Sequence, residues 1–217
     1  GTILLQIVSE VLNLPGSLLH YETPDTKFAP DAGNTTASRQ TVFTGESARM
    51  AALDLKKAFE AELQKRGKTG KLSDNQELLP ELFTALSDKE FFAEYTYPTD
   101  KIGSDKPHPV SHVAYGYATH VIDLDEEGKL AYVEAAHDVG RAINPISLQG
   151  QIEGGVVMSL GYALTEDYPL QKSVPTAKFG TLGLFKAPQV PPIKVDIIEH
   201  NDNELACGAK GIGEIAS

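Results

Sequence analysis

The sequence predicts an α/β protein, and three observations carry the prediction. Residues 1–85 place apolar side chains at helical spacing, residues 113–136 are dense in Val, Ile, Thr and Tyr around an Asp125-Glu126-Glu127-Gly128 turn, and Asn144-Pro145 opens a further helical pattern followed by an alternating strand. At 217 residues the chain is long enough to bury a real core, and one compact unit is expected rather than two.

The elements follow in order. Ile3, Leu4, Ile7, Val8, Val11 and Leu12 form the stripe of an amphipathic helix, which Leu14-Pro15-Gly16 ends because Pro biases its predecessor out of the helical region. The stripe starts almost at Gly1 with no capping sequence before it, so the chain is expected to be a piece of a longer one. A short strand is expected over residues 18–22, then a Pro-, Asp- and Gly-rich loop over 23–36. A long helix over residues 44–64, a charged exit over 66–71 and a shorter helix over 75–85, capped by Ser73 or Asp74, come next. Residues 91–97 and 113–124 read as strands, the second turning back as a hairpin into 130–136. In the helix after Asn144-Pro145, Ile152, Val156, Leu160 and Leu164 share one face. Gly154 and Gly155 inside it each cost about 1 kcal/mol relative to Ala, which predicts something packed close there. Residues 169–192 are Pro-rich and irregular, a kind of segment that lines sites, and 193–199 alternate Ile193, Val195 and Ile197 against Lys194 and Asp196 as a half-buried strand.

Charge and cysteine usage exclude several functions. Thirty acidic residues against nineteen Lys and Arg leave a net charge of −11, which argues against a nucleic acid or an anionic membrane as partner. An anionic ligand then has to be held locally, by backbone N–H groups and a few placed basic side chains. Cys207 stands alone, so neither an intramolecular disulfide nor a thiolate metal cage is possible; a reducing cytoplasm fits, and the thiol is expected to act as a small buried hydrophobe. No run of 18 apolar residues occurs. His20, His108, His112, His120, His137 and His200 fall in no metal-ligand spacing and are assigned structural or surface roles; His137, beside Asp138, is expected in strand-end packing, with a place close to the site as the alternative.

The chemistry concentrates in three small-residue turns. Gly208 to Glu214 reads GAKGIGE, in which Gly208, Gly211 and Gly213 allow close backbone approach and Glu214 is presented as a general-base candidate. The same acid is also explained as a favourable first-turn residue of a helix. Residues 34–40 and 149–155 form the other two turns, and each of the three is expected to precede or enter a helix, whose N-terminus offers unpaired N–H groups to an anion. Neither a Walker nor a GxGxxG pattern is present.

Taken together, GNTTASRQT at 33–41, HDVGRAINP at 137–145, GQIEGGVVMSLGYALTED at 150–167 and GAKGIGE at 208–214 resemble the molybdenum-binding subunit of the xanthine dehydrogenase and aldehyde oxidase family. The likeness covers essentially all of the chain, and KGIGE is similar to the selenium-dependent xanthine dehydrogenase branch. The resemblance implies an α/β second molybdopterin-binding domain, a mixed sheet with packed helices, of which residues 1–217 are a carboxy-terminal fragment truncated at both ends. It implies molybdopterin as the cofactor, in its cytosine dinucleotide form and carrying molybdenum without a protein ligand here; iron-sulfur clusters and FAD belong to other domains or subunits. Its cofactor contacts map onto Ala37, Ser38, Arg39, Gln40, Gln151, Lys210 and Gly211. Arg39 contacts the pyrophosphate or faces solvent, Gln151 lies near the pterin and metal ligands or bonds its own backbone, and Lys210 orients Glu214 or a phosphate or is solvated.

Glu214 matches the family's essential glutamate, a general base on a molybdenum-bound hydroxide whose oxygen attacks an electron-poor carbon as hydride passes to a sulfur or selenium ligand. Burial is expected to raise its pKa into the working range. The implied activity is hydroxylation of an aromatic N-heterocycle of the xanthine or purine type, with water as oxygen source. An aldehyde or nicotinate-type oxidoreductase is the alternative within the family, and a non-catalytic ligand-binding or assembly domain the alternative outside it. The implied partners are the rest of the molybdenum subunit and iron-sulfur and flavin subunits or domains, and the isolated chain is expected to be inactive.

Overall fold

A computed structural model describes residues 1–22, 25–27, 29–97, 99–101, 103–110, 115–201 and 205–216. His112, positions 113–114 of the expected strand and Ser217 lie outside the described residues. Where one compact unit is expected, the chain divides into two: Gly1–Ala114 with Asp202–Ala209, and Tyr115–Asn201 with Lys210–Ser217.

The first unit is helical. Helix α1 (Thr2–Leu12) buries Ile7 and Leu12 and packs on α2 (Gln40–Lys65). Asn13 stops α1 in a left-handed conformation, φ 54°, with Leu14 N–H returning to the Ser9 carbonyl at 3.1 Å. Pro15 then starts a 3-10 turn, Gly16–Leu18, in place of the expected strand. Helix α2 begins at Gln40, earlier than its apolar pattern predicts, because Val42, Gly45 and Glu46 are already buried. The expected helix over 75–85 is split. The Asn75 side chain bonds the Lys71 carbonyl at 3.0 Å and kinks the 3-10 stretch Leu72–Leu78, so α3 (Leu79–Ala85) starts only where Pro80 fits a first turn. Leu12, Leu14, Phe59, Leu63, Leu72, Leu79, Leu82 and Leu86 form the core. Residues 91–97 make no strand. Their β-propensity has no partner ladder, and Tyr95 instead packs edge-on against Phe43 of α2, with ring centroids 5.6 Å apart.

The second unit is a three-stranded sheet under one helix. Strands β1 (Ala118–Leu124) and β2 (Leu130–Asp138) pair antiparallel through the expected turn, in which Asp125 Oδ1 accepts the N–H groups of Glu127 and Lys129. Helix α4 (Pro145–Leu164) is capped by Asn144, whose side chain accepts Ser147 N–H. A two-residue ribbon, β3 (Leu170–Gln171) with β4 (Val174–Pro175), interrupts the irregular segment before β5 (Ile193–Ile198) joins parallel to β2. Val133, Ala135 and Val139 pack against Ile152, Val156 and Leu160 of α4 and against Ile212. The apolar face of α4 is buried through Leu160 and Gly161, and Leu164 beyond it is exposed. Of the paired glycines, only Gly155 is packed. A Cβ there would lie 3.2 Å from the Ala216 Cβ, whereas Gly154 faces open space. Among the described residues no helix is long and apolar enough to cross a membrane.

Candidate functional site

In the first unit, residues 34–40 run into α2 as expected. Ala37 and Ser38 both hold left-handed backbone, φ 54° and 51°, a conformation that costs a residue with a Cβ roughly 1–2 kcal/mol. Short-range bonds hold the segment: Thr35 Oγ1 donates to Gln40 Oε1 at 3.1 Å, and Gln40 Nε2 to Thr44 Oγ1 at 2.9 Å. Arg39 is half-buried rather than open to solvent. Its guanidinium donates to the Asn34 carbonyl at 2.8 Å and lies 5.6 Å from the Phe43 ring centroid. The first turn of α2 has no acidic residue, and Arg39, in the N-cap position, makes no side-chain cap. Deeper along α2, Glu46 binds Arg49 at 2.7 Å and accepts Ala206 N–H at 2.7 Å. Burial pushes the Glu46 carboxyl up, but the guanidinium and the N–H together outweigh it and hold it below the ordinary carboxylate value.

In the second unit, Lys210, Gly211 and Glu214 lie on one loop, bonded at Lys210 to residues 138 and 139 at the end of β2. Lys210 is buried, not solvated: its ammonium donates to Asp138 Oδ2 at 2.7 Å and its N–H to the Val139 carbonyl at 3.0 Å. The other oxygen of Asp138 accepts Gly140 N–H at 3.1 Å. Ile212 is buried, Glu214 is exposed, and Ser159 Oγ of α4 donates to the Ala216 carbonyl. The expected burial of Glu214 is therefore not found within this chain, because Ile212 and Ile215 take the inward positions around it. Residues 213–216 form a bend and a turn. The third segment, 149–155, lies inside α4, the helix that Asn144 and Pro145 were expected to open. Gln151 there is exposed, beside Gly150 and Gly154, which both face open space.

Two features were not anticipated. The Asp138–Lys210 pair was legible only as a lone lysine in a glycine-rich, apolar run. His137, fully buried, shares its Nε2 with His120 Nε2 at 2.8 Å, and its Nδ1 has no partner among the described residues. Desolvation holds both rings below the ordinary histidine value, and in His137 the charge of His120 adds to it. Among the described residues no three His, Cys, Asp or Glu are grouped to hold a metal.

A family model described as the molybdopterin cofactor-binding domain matches residues 1–191. The chain belongs to that family, the molybdenum-binding domain of xanthine dehydrogenases and aldehyde oxidases. It is 28% identical over 239 residues to a subunit of a probable xanthine dehydrogenase of Bacillus subtilis, covering 98% of this chain and 30% of that protein. It is 26% identical to the gamma subunit of the 6-hydroxypseudooxynicotine dehydrogenase complex of Paenarthrobacter nicotinovorans, covering 99% of this chain and 29% of that protein. The crystal structure of the aldehyde oxidoreductase of Desulfovibrio desulfuricans matches it in fold with a TM-score of 0.76 at 22% identity, over 99% of this chain and 23% of that one. The chain thus spans less than a third of the length of these proteins.

The residues present fit such a cofactor. The start of α2 combines helix N–H groups lacking an acidic first-turn neighbour with neutral Ser38 and Gln40, a donor set suited to phosphate. The exposed face of α4 sets the Gln151 amide beside two glycines with no Cβ, so a flat heterocycle can approach the backbone.

Proposed function

We propose that the chain forms part of the cofactor-binding framework of a cytoplasmic molybdenum hydroxylase acting on an aromatic N-heterocycle of the purine type, with Glu214 as the general base. The observation that carries this reading is an exposed carboxylate between two anchors, the buried ion pair at Lys210 and the Ser159 bond at Ala216, in a chain of the molybdopterin family. When bound, molybdopterin, as its cytosine dinucleotide, supplies the redox centre that accepts the substrate's electron pair. In the first unit, Ser38, Gln40 and the backbone at Ala37 and Arg39 would bind its phosphates. In the second, the Gln151 amide and Gly211 backbone would bond polar edges of the pterin. The Glu214 carboxylate takes the proton lost by the attacking oxygen, and its exposure leaves it accessible to substrate. Electrons would leave through iron-sulfur and flavin partners, and the isolated chain would not turn over.

Glu214→Gln in the complete enzyme tests the base. Metal content should be unchanged while turnover falls at least roughly 10²–10⁴-fold, the usual worth of general-base assistance. Near-normal turnover would remove Glu214 from the chemistry and favour a non-catalytic binding domain. The presence of aldehyde oxidases and an aldehyde oxidoreductase among the sequence relatives supports a second reading, with an aldehyde as substrate. Comparing kcat/KM for a purine, a nicotinate and an aldehyde in the complete enzyme separates the two.

A further inference from the structure

We propose that the Lys210–Asp138 ion pair is a positioning device: it sets the register of the 210–216 loop on the end of β2 and so fixes where the Glu214 carboxylate is presented. The proposal rests on Glu214 acting as general base. The Lys210 ammonium donates to Asp138 Oδ2 at 2.7 Å and its backbone N–H to Val139 O at 3.0 Å. Asp138 is itself oriented by Gly140 N–H at 3.1 Å, and the paired side chains are only 1% and 11% exposed. Farther along, at Ala216, the loop is held again, by Ser159 on the carbonyl and by Gly155 against the side chain. Glu214 lies between these anchors, on a stretch whose Gly211 and Gly213 have no side chains of their own to fix it.

The choice of a charge pair is informative because apolar chain neighbours of both partners are buried. Val139 and Ile212 are both buried. In such a place an ion pair contributes little net stability beyond what hydrophobic residues of similar volume would give. What it adds is direction. A one-residue slip of the loop would put Ala209 or Gly211 opposite Asp138 and leave a buried carboxylate unpaired, so wrong registers are strongly disfavoured. The lysine ammonium, enclosed in the fold, then acts on the loop rather than on a ligand phosphate.

The test replaces the pair without opening a hole. In Asp138→Asn/Lys210→Met, asparagine keeps an acceptor for Gly140 N–H and methionine fills the lysine stem. In the cofactor-free complete enzyme, amide hydrogen exchange over residues 211–215 should rise at least tenfold while α2 is unchanged. In the loaded enzyme kcat should fall roughly 10²-fold with KM unchanged, the scale expected for a reacting group displaced by about 1 Å. The pair variant that also carries Glu214→Gln should turn over no more slowly than Glu214→Gln alone, because a group that acts only by placing another loses its effect when that other is gone. Wild-type exchange and kcat, or losses that add in full, would overturn the proposal. Should the double variant fail to fold, the isosteric Asp138→Asn alone must show the same changes in smaller degree. If Glu214→Gln proves near-normal, the base reading fails by itself, while faster loop exchange in the pair variant still reports the register lock.

Discussion

Residues 34–40 and 210–216 are both short segments of a molybdopterin-binding domain, yet they are held in opposite ways. The first is exposed or half-buried and is fixed by bonds between residues four or five apart, with its strain carried in two left-handed positions. The second is fixed by partners 72 and 57 residues away, at Asp138 and Ser159, with Lys210 and Ile212 enclosed. The difference separates two ways of building a site. On the proposed roles, the segment that offers backbone and hydroxyl groups to a ligand is shaped locally, whereas the one that places a carboxylate is clamped by the tertiary fold.

The largest expected effect tests the clamp. Lys210→Met leaves Asp138 buried and unpaired, and the second unit should lose about 3–5 kcal/mol in urea denaturation; a loss below about 1 kcal/mol would show that the pair is not enclosed in solution. Gly155→Val comes next, because its side chain meets Ala216 at once, and overpacking should cost about 1–3 kcal/mol and speed amide exchange near Ala216. Gly154→Ala, one residue away, serves as control and should stabilise α4 by about 1 kcal/mol, since nothing lies within reach of its Cβ. The smallest change is expected in the local segment: Ala37→Gly relieves a left-handed residue but loosens the unfolded chain, for a net gain of a few tenths to about 1 kcal/mol. Equal costs at both segments would erase the contrast.

Acid should sharpen it without mutation. His120 and His137 have folded pKa values below the unfolded value, so the unfolded state binds protons first and their contribution is lost as pH falls below about 6.5. Glu46 is also depressed, but as a carboxylate it loses its contribution only as pH falls below about 4.3. Exchange protection measured against pH should therefore fall in the sheet unit before the helical one, and the reverse order would contradict the burial of the histidine pair.

Much of this was legible in the chain. The hairpin around Asp125 to Gly128, the capped start of α4 at Asn144-Pro145 and the half-buried Ile193, Val195 and Ile197 follow from turn chemistry and periodicity. The strands expected over 18–22 and 91–97 did not form, because propensity alone supplies no ladder partner. The motif residues were read as individual contacts, and the partner that encloses Lys210 was missed because Asp138 lies 72 residues away on another element.

By itself the sequence determined the family, through local motifs whose order survives without any coordinates, and it determined the elements whose caps and periods are short-range. Only the tertiary structure decided that Lys210 is a buried anchor, that Glu214 stays exposed and that Gly155, not Gly154, is packed. Those outcomes depend on which distant surfaces meet, and burial, unlike helix period or turn chemistry, is not a property of any short stretch of chain.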